Sequence, residues 1–240
     1  MVSFFGGHRL EDQMKKILML SSLAIVAVSA NAQSFTESFD VNTGYGAGAS
    51  GVGTSDMTWV WQNNSIGGPG LTTWFDGNAT VFPAQAGASY LGANFNSSTG
   101  ANNIDTWLMS EVRTFNVGDT ISFYTRTADG SIWPDRLRLA LSLNGASTNA
   151  VDFSNVLVSV NEGLTQGGYP ETWTQFSTTL TVGGTGRFAF NYNVPNGGPS
   201  GSNSNYIGLD TVAYTAVPEP ATMAALGLGV AAMIRRRNRK

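Results

Sequence analysis

The 240-residue chain has no cysteine, a single histidine and only 12% charged residues. Each scarcity excludes something. Without cysteine there is neither a disulfide framework nor a thiolate site. The histidine, His8, lies upstream of the expected start of the working chain, so no imidazole is left to serve as general base or zinc ligand. Most hydrolase constellations fall with it. Lysine is absent between Gln33 and Val217, where five arginines (Arg113, Arg126, Arg136, Arg138 and Arg187) stand against 13 carboxylates, a net charge near minus 8. A domain of that sign does not hold nucleic acid by neutralising phosphates. Long apolar runs are missing too. The longest near either end, Ile17 to Val28 and Ala221 to Ile234, have 12 and 14 residues, short of the roughly 17–25 that span a bilayer comfortably.

What is abundant is glycine, 29 residues, among Asn- and Ser-rich stretches. That mix is typical of exported β-rich proteins with many turns. The ends read as addresses. Lys15 and Lys16, the apolar run from Ile17 and the small-x-small triplet Ala30-Asn31-Ala32 form a signal peptide, with the mature chain expected from Gln33 and the start codon expected at Met14. Three parts follow: residues 1–32 as upstream segment and signal helix, 33–216 as one domain, and 217–240 as a tail ending in a short hydrophobic helix and a basic cluster. Signal peptidase is the first expected partner.

Two-residue periodicity runs through the middle, and helical periodicity hardly appears. From Arg136 to Leu143, leucines 137, 139, 141 and 143 share one face and the two arginines the other, the signature of a half-buried strand. Phe188, Phe190, Tyr192 and Val194 repeat it, as do Ile121, Phe123 and Thr125. The stretch from Thr172 to Val182 alternates less regularly. Asn144-Gly145, Gly167-Gly168, Gly183-Gly184 and residues 196–202 separate the runs as turns. About ten short strands without a crossover helix predict an all-β fold, an antiparallel jelly-roll-like β-sandwich. Segment 42–103 is the irregular part, expected to form long loops. Within it Trp59 and Trp61 share a face; core filling is the favoured reading, a sugar-stacking platform the other.

Five segments occur in a recognisable order: Ser34 to Asp40, Asp105-Thr-Trp-Leu-Met-Ser110, Arg136 to Leu143, Thr172-Trp-Thr174 and Asn205 to Val212. In this the chain resembles choice-of-anchor J domains over most of residues 34–215. The resemblance implies a jelly-roll sandwich related to cleaved-adhesin modules and carried by exported bacterial proteins. The tail, Val217-Pro218-Glu219-Pro220, then the apolar run, then Arg235 to Lys240, resembles a PEP-CTERM sorting signal. That implies recognition by an exosortase in an exopolysaccharide-secreting Gram-negative bacterium. The order of its parts is physically sensible. The prolines hold the motif extended, residues 221–234 insert transiently, and the basic end stays cytoplasmic by the positive-inside rule. The cargo is then an envelope, surface or matrix protein associated with exopolysaccharide or biofilm.

For chemistry the residues offer little. Glu111, Asp129, Asp135, Glu162 and Glu171 sit in no motif, so a carboxylate-pair glycosidase is the second alternative rather than the main reading. The first alternative is a carbohydrate-binding module using Trp74 and Trp133. A structural calcium ion is the only cofactor considered. Its expected ligands are Glu37, Asp40 and Asp210, where the first and last strands meet. Ile207 and Leu209 alternate out of phase with Val212 and Tyr214, so a bulge is expected at Asp210.

Overall fold

The computed structural model describes residues 33–218, together with the single positions Leu228, Gly229, Arg235 and Arg237 in the C-terminal segment. The expected signal helix, the short hydrophobic helix apart from Leu228 and Gly229, and Glu219 and Pro220 of the sorting motif lie outside the described residues. Ala32–Val217 forms one compact unit.

Thirteen strands build it: β1 (Phe35–Glu37), β2 (Ser50–Thr54), β3 (Thr58–Asn63), β4 (Phe75–Asp76), β5 (Leu91–Asn94), β6 (Ile104–Met109), β7 (Arg113–Phe115), β8 (Thr120–Thr127), β9 (Leu137–Ser142), β10 (Asn155–Val160), β11 (Thr174–Thr179), β12 (Gly184–Val194) and β13 (Tyr206–Thr215). All pairings are antiparallel. One sheet runs β11-β8-β13-β5-β4 with β1 beside β13; the other runs β10-β9-β12-β6-β3-β2 with β7 beside β12. The chain is therefore an antiparallel β-sandwich, as the alternation predicts.

The strands follow from the pattern. On β9, Leu137, Leu139 and Leu141 point inward and are buried, while Arg138 faces out. Leu143, expected to continue that face, lies beyond the strand end and is 41% exposed. On β12 the inward residues are Phe188, Phe190, Tyr192 and Val194, none with accessible surface. Segment 42–103 is the larger departure. It contributes β2, β3, β4 and β5, because cross-strand pairing orders Gly- and Asn-rich stretches that carry little periodicity of their own. Trp59 and Trp61 on β3 fill the core, Trp59 packing its ring 5.7 Å from Phe39 and 5.8 Å from Phe188. Each such ring removes a large apolar area from water and contributes on the order of 2–3 kcal/mol.

Strand β13 shows why the last strand looked out of phase. Between Asp210 and Ala213 it advances three residues against two on β8, a one-residue bulge. Thr211 takes φ +46° there. The slip turns Val212 and Tyr214 onto the core face already used by Ile207 and Leu209, and all four are fully buried.

Candidate functional site

The three carboxylates expected to hold calcium end up with N–H donors instead of one another, and no cluster of three or more His, Asp or Glu side chains suited to a metal occurs among the described residues. Glu37 is fully buried. Its Oε1 accepts from Phe39 N (3.0 Å) and Asp56 N (3.2 Å), its Oε2 from Met57 N (2.9 Å) and Trp59 Nε1 (3.0 Å). Those four bonds tie β1 to the turn before β3 and hold Phe39 at φ +53°, a conformation costly for a bulky residue. Asp210 Oδ2 accepts from Gln85 N and Ala86 N, and its Oδ1 from Thr211 N. Burial pushes its carboxyl up to about 6 despite those bonds. Asp40 Oδ1 accepts from Ala88 N and Ser89 N, bonds that hold its carboxyl below the usual carboxylate range. Asp40 and Asp210 thus clamp the same turn, residues 85–89, from two sides.

The tryptophans expected to meet sugars separate. Trp74 is fully buried in the main core, which corrects its placement as a surface platform: a ring with no accessible surface stacks on no ligand. Trp133, on the loop between β8 and β9, is 45% exposed and lines a small cleft of about 160 Å³ with Phe95, Pro199 and Asn205.

A larger cleft, about 410 Å³, lies over the outer face of the second sheet, within the roughly 300–1,000 Å³ usual for ligand sites. Three strands supply its floor. Register aligns Trp107 of β6 with Asn191 of β12 and Arg138 of β9, and Asp105 with Asn193 in the next row. Met109, Ala189 and Ala140 follow on the other side. The short turn at Ala150–Asp152 brings Phe153 to within 5.6 Å of the Trp107 ring, so one flank is apolar. The opposite flank is polar. Asp105 Oδ1 accepts from Asn191 Nδ2 (2.8 Å) and Asn193 Nδ2 (3.1 Å), which leaves Asp105 Oδ2 and Asn191 Oδ1 with no protein donor among the described residues. Trp107 is 9% exposed, and its Nε1 has no acceptor. An unmatched buried donor of this kind costs about 1–3 kcal/mol, and the residue that carries it lines the cleft.

Sequence reasoning missed this site while quoting all three of its strands. The signal available was the second face of each alternation: Asp105, Trp107 and Met109 on one strand, Asn191 and Asn193 on another, residues too large or too amide-rich for an idle surface.

The carboxylates considered for glycosidase chemistry are dispersed. Asp135 is fully buried and accepts from Thr127 Oγ1 (2.7 Å), Tyr192 OH (2.7 Å) and Asn205 N (2.8 Å). Glu162 is bound by Arg138 and Arg136, Asp129 by Arg126, and Glu111 accepts from Thr58 N. Among the described residues Asp105 is the single carboxylate lining the larger cleft, whereas glycoside hydrolysis of the usual kind needs two.

Fold and cleft together define a class, a jelly-roll-like β-sandwich module with an amphipathic groove on one open sheet. The comparisons agree on the fold. The chain is similar to the K1 cleaved adhesin domain of Lys-gingipain from Porphyromonas gingivalis W83, at 19% identity and TM-score 0.54, over 78% of this chain and 100% of that one. It is similar also to the K2 cleaved adhesin domain of Lys-gingipain, at 23% identity and TM-score 0.50, over 76% and 99% of the two chains. No curated protein matches the sequence. Residues 216–240 match the PEP-CTERM protein-sorting motif, so the chain carries the sorting signal of an exported protein directed to the cell envelope or surface.

Proposed function

We propose that this is a non-catalytic, polysaccharide-binding module of the choice-of-anchor J type, sorted by an exosortase to the envelope or extracellular matrix of a Gram-negative bacterium, where it associates with exopolysaccharide or biofilm. The observation that carries the binding is the cleft on the outer face of the second sheet. Its apolar flank of Trp107, Phe153 and Val156 suits the C–H face of a sugar ring, and Asp105 Oδ2 and Asn191 Oδ1 stand opposite as acceptors for hydroxyls. Support for sorting comes from the motif match and from the way the fold ends. Val217 N donates to Asp119 Oδ1 (2.8 Å) and Ala216 N to Ser34 Oγ (3.0 Å), so ordered hydrogen bonding reaches the first residue of the Val217-Pro218-Glu219-Pro220 motif.

Mass spectrometry of the C-terminus from a host with the sorting enzyme, on separated membrane, surface and medium fractions, tests the sorting. Loss of the residues after the Pro-Glu-Pro motif is expected; an intact Lys240 found only in membranes refutes it. A structural calcium ion is part of the same proposal near Asp40, beside Asn42, whose Oδ1 is a buried acceptor without a donor. Glu37, with both oxygens spent on N–H groups, does not fit a ligand role. A melting temperature that rises with calcium and falls with EDTA is expected; an unchanged melt removes the ion.

A further inference from the structure

We infer that the polysaccharide is uncharged: the cleft of Asp105, Trp107 and Asn191 is built for a neutral glycan and against an acidic one. The inference rests on the binding role given to that cleft. Every positive charge of the described domain has a partner of its own.

There are five arginines between Gln33 and Val217, no lysine and no histidine. Arg138 is the only one lining the cleft, and its guanidinium is turned onto Glu162, through Nε to Oε2 (2.8 Å) and through Nη2 to Oε1. This fork-to-fork geometry is the strong form of the pair. It draws the Glu162 carboxyl down to about 2. Arg136, beside it, gives Nε to Asn193 O (2.8 Å), Nη2 to Asn193 Oδ1 and Nη1 to Glu162. Arg126 binds Asp129 and covers the Phe82 ring. Arg113 lies over Phe35 with Nη1 on Gln33 O, and Arg187 points at the carbonyls of Ser110 and Ala146. The one guanidinium in the lining, Arg138, is neutralised by Glu162, so a carboxylate or sulfate on a sugar meets no unneutralised cation there. Asp105 puts a negative group in the lining, and the domain as a whole is near minus 8. A polyanion would be repelled within about a Debye length, roughly 8 Å at physiological salt.

What the cleft does offer is acceptors and an apolar wall. Hydroxyl groups of a neutral sugar donate to Asp105 Oδ2 and Asn191 Oδ1. The row Gln62, Trp107, Asn191, Arg138, Ser159 crosses five neighbouring strands. Its middle three residues, Trp107, Asn191 and Arg138, line the cleft.

The test is affinity electrophoresis of the full-length chain in mild detergent through gels containing neutral glycans (β-glucan, galactan, xylan, mannan) or acidic ones (alginate, polygalacturonate). Each gel is run at about 0.05 and about 0.5 M salt, because screening separates the two kinds of binding. Retention by at least one neutral glycan, changing less than about twofold with salt, is expected, with none by the acidic gels. Trp107→Ala should weaken retention about thirtyfold, as truncation of a central aromatic does. Asp105→Ala, at a half-buried position that perturbs folding less, should weaken it about tenfold or more. Glu162→Gln frees Arg138 and Arg136 and should create salt-sensitive retention on polygalacturonate. Wild-type retention on a polyanion that fades with salt and is lost in Asp105→Ala overturns the neutral class while leaving the cleft as the site. No retention on any gel by folded protein overturns both.

Discussion

Replacing Glu37 by glutamine keeps the shape of a buried side chain and should still cost the domain a large part of its stability. Four N–H groups converge on the carboxylate at 2.9–3.2 Å, two on each oxygen. The amide of glutamine supplies one oxygen and therefore serves one pair of donors; its NH2 then faces the other pair. Two N–H donors and the amide NH2 are left unmatched. At about 1–3 kcal/mol for each buried unmatched group, with some relaxation, the loss is about 3 kcal/mol. Against a total of about 5–15 kcal/mol this is severe. For a domain of this size it corresponds to a fall in Tm of about 6–12 °C. Glu37→Ala removes every acceptor and also frees Phe39 from its left-handed turn, so it should cost about 4 kcal/mol or more. Urea unfolding followed by tryptophan fluorescence measures both. A Trp59→Phe change deletes one donor, so the Glu37→Gln and Trp59→Phe pair should be non-additive by more than about 0.5 kcal/mol. If Glu37→Gln lies within about 0.5 kcal/mol of wild type, the account of a carboxylate required by four donors is wrong.

Gly87 takes φ +66°, and a Cβ there would stand 1.9 Å from Asp40 Oδ1; Gly87→Ala should cost about 2 kcal/mol, and an unchanged thermal melt would contradict the clamped turn. The Glu162 carboxyl is held at about 2 by the Arg138 hydrogen bonds, below its ordinary 4.5. Its contribution is therefore present above about pH 4.5 and lost as pH falls through about 2, and at this solvent-exposed pair it amounts to no more than about 1 kcal/mol. Glu162→Gln should be less stable than wild type near neutrality and converge with it below pH 2, read by urea melts across that range; parallel curves would refute the linkage. Trp74→Ala should lose about 3–5 kcal/mol, whereas Trp133→Ala, at 45% exposure, should lose less than about 1 kcal/mol and keep glycan retention. A reversed order in the same melts would mean that the core has been misplaced.

The sequence by itself determined the class of fold, the acid balance and the C-terminal sorting motif. Alternation on β9 and β12 is local information: leucines or aromatics every second residue can bury one face only in a sheet. The bulge at Asp210 was legible too, as a phase slip, although its effect was not. Only the folded chain shows that the slip puts Ile207, Leu209, Val212 and Tyr214 on one face. Segment 42–103 was opaque for a physical reason. Its strands are held by partners distant in sequence, as when β3 pairs with β6 and β5 with β13, and their own residues have weak strand preference. The candidate site was opaque for the same reason. Asp105, Trp107, Arg138 and Asn191 come from three strands spread over more than 80 positions, and nothing in any one strand announces the others. Composition gave the number of arginines between Gln33 and Val217; tertiary structure decided that each of those five is already engaged. The exposure of a tryptophan was likewise decided by packing, since the sheets that close over Trp74 leave Trp133 on an open loop.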